Sequence, residues 1–197
     1  MLIDPEKQTY RENYTLMSAC IVPRPIAFVS TVSIEGVFNL APFSYFNGVT
    51  SAPPTLSIAI ARKSRDSNKK DTLSNILDTG EFVVNTVSVA MTEAMNRTAR
   101  DFPPEVNEFT EAGLTAIPAR KVKAPLVKES PVKMECTLYK SIEIGEGRPG
   151  SGFLVIGEIV MFHIADEIWD GGQIDMEKLD PLGRLSGNYT TLGRLIG

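Results

Sequence analysis

Val132–Ile144 (VKMECTLYKSIEI) and Phe153–Ile164 (FLVIGEIVMFHI) are two long runs rich in β-branched and aromatic residues, joined through the glycine-rich turn GEGRPG at Gly145–Gly150. Both read as strands, and adjacent strands of this length suit a curved antiparallel sheet that closes into a barrel. The turn also matches GxGxxG at Gly145, Gly147 and Gly150. A dinucleotide-binding loop of that spacing needs a helix to follow, with its N-terminus on the pyrophosphate. Here Pro149 lies inside the turn and a strand follows it, so the stretch is a hairpin loop.

Working outward, Ile26–Val32 (IAFVSTV) and Val37–Leu40 form a second hairpin around Glu35-Gly36. Leu56–Ala61 (LSIAIA) follows the breaker Ala52-Pro53-Pro54, and Phe82–Val87 (FVVNTV) follows Gly80. Two helices interrupt the strands. Asp71–Asp78 places Leu73, Ile76 and Leu77 on one face, with Asp71 or Thr72 as its cap and Thr79-Gly80 as its end. Ala90–Ala99 carries Met91 and Met95 at helical spacing, and Asp101–Val106, with Pro103-Pro104, is an irregular excursion over the barrel surface. No repeat or long polar linker divides the chain, which reads as a single domain over residues 1–197.

Composition narrows the function. The 43% hydrophobic and 22% charged content is that of a globular protein. A formal charge of -4 argues against a nucleic-acid partner. No apolar run reaches the length of a membrane span, since Phe153–Ala165 is broken by Gly157, Glu158 and His163. MLIDPEKQTY has no signal-peptide pattern, and Cys20 and Cys136 are isolated thiols, so the expected location is the cytoplasm. With His163 the sole histidine, multi-histidine metal sites are excluded; GxSxG and GxxxxGK[ST] are both absent. No metal site is expected.

Two stretches carry chemistry. Pro23–Asn47 interleaves small polar residues (Ser30, Thr31, Asn39, Ser44) with Phe28, Phe38, Phe43, Tyr45 and Phe46. A flavin ring requires such a mixture of apolar faces and hydrogen-bonding groups, although an ordinary half-buried strand pair has the same composition. Pro42 interrupts the strand pattern, and a kink is expected there. The second stretch, Arg62–Thr72 (RKSRDSNKKDT), sets five cations between a strand and a helix N-terminus. It suits a phosphate, with Asp71 capping the helix or pairing with a lysine; the alternative is a solvated basic loop. His163 is either a weak catalytic candidate at the flavin or a structural residue. Tyr189 either stacks on a ring, or the glycine-rich tail that carries it closes over the barrel or over a second subunit.

PRPIAFVST, NLAPFSYFN, Pro53-Pro54, KKDTLSNILDTGEFVVN and GRLSGNY, in this order, resemble the flavin-reductase-like family of FMN-binding split barrels. That family includes flavoredoxins and the reductase components of two-component monooxygenases. The resemblance spans about Asn13 to Tyr189. It implies a mainly β, six-stranded antiparallel split barrel with a few short helices, forming a homodimer with FMN near the subunit interface. By position, Ser30 and Thr31 would line the flavin site, and Asn39, Ala41, Ser44 and Phe46 would hold the ring and ribityl chain. Arg62, Lys70 and Thr72 would serve the phosphate. Arg184 and Tyr189 would complete the pocket, from the same chain or from the partner. The implied activity is NAD(P)H-dependent flavin reduction, with electrons passed to an acceptor or a monooxygenase partner. The alternatives are an FMN electron-transfer protein reduced by another protein, and a non-catalytic flavin-binding module.

Overall fold

The structure, a computed structural model, describes residues 1–194. Helix α1 (Tyr10–Cys20) opens the chain with a capping box between Thr9 and Glu12. Strands β1 (Ala27–Val32) and β2 (Phe38–Phe43) form the hairpin predicted around Glu35-Gly36, with Ala27 opposite Phe43 and Val32 opposite Phe38. Strands β3 (Phe46–Ser51) and β4 (Pro54–Ala61) form a second hairpin around Ala52-Pro53. Helix α2 (Asp71–Thr79) ends on Gly80 in the left-handed conformation and leads into β5 (Glu81–Thr86). A surface excursion follows, with α3 (Thr92–Thr98), α4 (Glu108–Ala112) and the small ribbon β6 (Ala116–Ile117) with β7 (Leu126–Val127). The long strands β8 (Val132–Ile144) and β9 (Gly152–Ile164) are as predicted, and two short ribbons close the chain: β10 (Trp169–Asp170) with β11 (Gln173–Ile174), and β12 (Gly183–Arg184) with β13 (Tyr189–Thr190).

Seven strands make one antiparallel sheet in the order β2-β1-β5-β8-β9-β4-β3. The two edge strands, β2 and β3, are consecutive in the chain and separated only by Ser44 and Tyr45. Three peptide steps from Phe43 to Phe46 span about 10 Å at most. The sheet must therefore curl until its edges meet, and the result is a barrel split along that seam. Tyr45 C=O accepts from Ala59 N–H at 2.8 Å, which pins the crossing to β4. The seventh strand, β3, is the one absent from the sequence expectation. It is largely exposed, polar and bulged between Gly48 and Thr50, so neither burial nor alternation marks it.

Strand periodicity sorts the core. Ala27 and Val29 of β1 face the barrel interior with Leu56, Ile58, Phe82 and Val155, and α2 plugs one end with Leu73 and Ile76. Ile26 and Phe28, one residue out of phase, face outward under Met91, Met95 and Phe109 of the excursion. Every residue of β1 is buried, because both faces are covered. The expected kink at Pro42 is absent. Pro42 pairs within β2 opposite Phe28, and β2 is an edge strand, so its missing N–H deprives no neighbouring strand of a bond. The bend falls at Ser44–Tyr45 instead.

A buried guanidinium holds the seam. Arg24 is 4% exposed and donates to the carbonyls of Ser18, Ile21 and Leu185 and, through Nε, to Ser44 Oγ at 3.3 Å. Its guanidinium also lies 5.5 Å from the Tyr45 ring centre. The end of α1, the crossing and the C-terminal tail thus share one charged anchor. On the opposite wall Gly157 sits where a Cβ would run into the ring of fully buried Phe82. Gly157→Ala is expected to lower unfolding stability by about 1–3 kcal/mol through overpacking. Gly187→Ala, whose added Cβ meets nothing, should stay within about 0.5 kcal/mol in the same denaturant titration.

Candidate functional site

A cleft runs along the outside of the seam, from the start of α2 to the C-terminal tail. At one end a cavity of about 80 Å³ is walled by Asn39, Ala41, Lys63, Lys70, Asp71, Thr72, Asp101 and Glu108. At the other end a cavity of about 190 Å³ is bounded by Tyr14, Ile26, Phe43, Ser44, Met95, Arg184 and Tyr189. Both are lined by Pro42 and Ala99, so the two cavities adjoin there. The smaller end is rich in charge, and the larger sets aromatic and aliphatic side chains around Ser44 and Arg184.

The charged end presents hydrogen-bond donors and positive charge. Lys70 is the N-cap of α2, yet no side chain caps the helix, which leaves its first-turn amides for an external acceptor. Asp71 takes the second of its two expected roles, with its carboxylate bound by Lys63 Nζ at 3.1 and 3.2 Å. Lys70 has no carboxylate at ion-pair distance among the described residues, leaving its charge for a ligand. The basic loop thus divides. Lys63 and Lys70 turn to the cavity, whereas Lys69 and Arg62 lie over the Phe153 ring at 5.6 and 5.1 Å. Arg62, expected at the phosphate, donates to Ser67 C=O and pairs with Glu143, which shapes the loop from behind.

Beneath this cavity lies a closed polar network. Thr72 Oγ1 donates to Asn39 Oδ1 at 2.6 Å, and Asn75 Nδ2 donates to Thr31 Oγ1 at 3.0 Å. Asn39 Nδ2 donates to Glu108 Oε1 at 2.6 Å, and Leu40 N–H to Glu108 Oε2 at 3.2 Å. Thr31, Asn39, Thr72, Asn75 and Glu108 are all buried. Burial pushes the Glu108 carboxyl above its ordinary value, against the hydrogen bonds it accepts, and Asp71 adds to the rise.

The predicted residues therefore separate. Thr31, Asn39, Ala41, Lys70 and Thr72 gather at the charged end, and Ser44, Arg184 and Tyr189 at the aromatic end. The tail belongs to the same chain: Arg184 and Arg24 exchange backbone bonds of 2.8 and 2.9 Å, the Arg184 guanidinium stacks 4.6 Å from the Tyr189 ring, and Tyr189 Oη donates to Asn96 Oδ1. Ser30 does not join them. One residue out of phase with Thr31, it faces the other side of β1 and donates to Pro125 C=O while accepting from Asn85. Phe46 packs against the barrel core instead of lining the cleft. His163 also lies elsewhere, with Nε2 at 2.5 Å from Glu135 Oε1. Glu108, Asn75 and Tyr14 were not foreseen: a glutamate within NEFTEAG gives no sign of burial, and nothing in the sequence places α1 against the cleft.

Fold and cleft define a split barrel of the flavin-reductase type. Residues 17–192 match the flavin reductase like domain family, and the chain belongs to it. An uncharacterised protein of Aquifex aeolicus is 45% identical over 177 residues, 89% of this chain and 87% of its own. Among solved structures, nitrilotriacetate monooxygenase component B from Bacillus cereus superposes with a TM-score of 0.94 at 40% identity, over 100% of this chain and 98% of that one. The 2-nitrobenzoate 2-nitroreductase NbaA of Pseudomonas fluorescens gives 0.87 at 32% identity, over 100% and 96%.

The His163 partner has a defined structural task. Glu135 is fully buried and accepts from the backbone N–H groups of Arg120, Lys121 and Val122, holding that segment against β8. Burial works against its charge, but these amides and His163 together hold the carboxyl below the ordinary value of 4.5. With the folded value depressed, this stabilisation is full above the unfolded value and is lost as pH falls through the folded one. His163→Gln should cost about 1–2 kcal/mol of stability and leave flavin affinity unchanged. Glu135→Gln should flatten the stability–pH profile below about pH 4.5, as followed by urea titration.

Proposed function

We propose that this chain is an FMN-binding oxidoreductase that takes reducing equivalents from NADH or NADPH and passes them to an acceptor or a partner protein. The observation that carries this reading is the two-ended cleft, with an uncapped helix start and Lys70, unpaired among the described residues, at its small end and a pocket framed by Tyr14, Phe43 and Tyr189 at its large end. The sizes set the orientation: the 80 Å³ end suits a phosphate and the 190 Å³ end the ring. The residues fit FMN on this structure's own terms, because a phosphate would meet amides and a lysine that have no partners among the described residues. When bound, FMN supplies the hydride-accepting ring, and the protein need bring no strong acid or base to it.

The protein's tasks are binding and placement. Lys70, Lys63 and the backbone N–H of Thr72 serve the phosphate; Asn39 and Ala41 flank the ribityl path; Ser44, Arg184 and Tyr189 border the ring. The network beneath Thr72 fixes the hydroxyl and amide orientations before the ligand arrives, which lowers the cost of ordering them. A second copy of the chain would cover the cleft from the side of α1, whose Tyr14 lines it and which, with the residue after it, exposes Tyr14, Met17 and Ile21 by about half. Light scattering should then give twice the chain mass.

Purified protein should be yellow or become so with FMN, and should bleach on anaerobic addition of NADH or NADPH. Yellow protein that bleaches only with a second protein would assign it to electron transfer. A chain that neither binds FMN nor consumes nicotinamide would defeat the proposal. Lys70→Ala should weaken FMN binding about tenfold or more while sparing riboflavin, since a charge-assisted hydrogen bond is worth about 1.5–3 kcal/mol. Equal loss for both flavins in fluorescence titrations would remove this residue from the phosphate site.

A further inference from the structure

Glu108 is a buried carboxyl on the wall of the cavity assigned above to the phosphate, and it has no cationic partner among the described residues. It is 7% exposed, and both hydrogen bonds to its side chain come from neutral donors, Asn39 Nδ2 and Leu40 N–H. The charged groups facing it from each packed element are few. The loop before α2 brings Lys63 and Lys70, and α2 itself brings Asp71. The segment after α3 brings Arg100 and Asp101. β1 and β2 offer only Thr31 and Asn39, which are neutral. Glu111, on its own helix α4, is exposed and does not line the cavity.

Three cations therefore stand against three carboxylates before any ligand enters. A phosphate monoester brings about -1.5 to -2 at neutral pH. Like charges confined to a poorly hydrated site are relieved by protonating one of them. Asp71 is bound by Lys63, and Asp101 is exposed and solvated. Glu108 alone combines burial with purely neutral partners. Resting on the reading that FMN binds in this cleft, we propose that Glu108 takes up one proton from solvent as the phosphate enters, and returns it when the flavin leaves. Flavin affinity is then coupled to pH by the protein's own carboxyl.

Calorimetric titration of the intact protein with FMN near neutral pH, in two buffers of different ionisation enthalpy, reads the proton count. Uptake approaching one proton per FMN and near zero per riboflavin is expected. Above neutrality the FMN Kd should rise by up to about tenfold per pH unit. Glu108→Gln keeps the shape and a hydrogen-bonding carbonyl, and should bind FMN with no uptake and a flat pH profile. Phosphorus NMR of FMN bound to the wild-type protein, expected to report a dianion, locates the proton even if the variant does not fold. FMN binding with no proton uptake, uptake retained in Glu108→Gln, or a monoanionic bound phosphate would each overturn the proposal while leaving the FMN site intact. Absence of FMN binding would instead remove the site itself, and this inference with it.

Discussion

Two residues, Ser44 and Tyr45, carry the chain from one edge of a seven-stranded sheet to the other. No flat sheet can satisfy so short a tether. The curl of the barrel, the split along the seam and the cleft outside it all follow from this constraint. The long strands β8 and β9 supply the curvature, with register shifts between Glu135 and Cys136 and between Leu138 and Lys140. Gly157 lies beside the second shift, opposite Leu138, where the interior ring of Phe82 leaves no room for a side chain.

The cleft inherits its rigidity from that closure. Thr31 and Asn39 stand on the interior face of the closing hairpin, and α2, which plugs the barrel, aims its uncapped start at the same place. The polar network beneath the cavity is therefore built on strands and a helix rather than on free loops, and its members satisfy one another. That is the arrangement a protein needs when a bound ligand does the chemistry: groups held still, with little reorganisation on binding. Of the loop's three remaining cations, Arg62 and Lys69 lie over Phe153, Arg62 also pairs with Glu143, and Arg65 pairs with Asp66 at the surface.

Much of this was legible in the sequence, for identifiable reasons. The barrel showed in β8 and β9 because their length and the glycine turn between them leave few other readings, and α2 showed in its apolar face and terminal glycine. The edge strand β3 did not show, since an exposed strand with a bulge carries no burial pattern. Pro42 misled because a proline breaks a central strand but is tolerated on an edge, and which strands lie on edges is a property of the whole sheet. Ser30 and Thr31 are adjacent, so composition grouped them; the two-residue period of a strand sends them to opposite faces. Within RKSRDSNKK no local rule says which cations will meet a distant phenylalanine. Glu108 was invisible because its burial is made by elements remote in the chain.

Arg24 ties α1 and the segment around Leu185 to one point, donating to the carbonyls of Ser18, Ile21 and Leu185. Two of these carbonyls lie 6 and 3 residues from Arg24 along the chain and the third lies 161 residues away, so one side chain couples a local turn to a long-range closure. Loss of the guanidinium would leave carbonyls of both segments unsatisfied at once, and α1 and the tail would loosen as one unit.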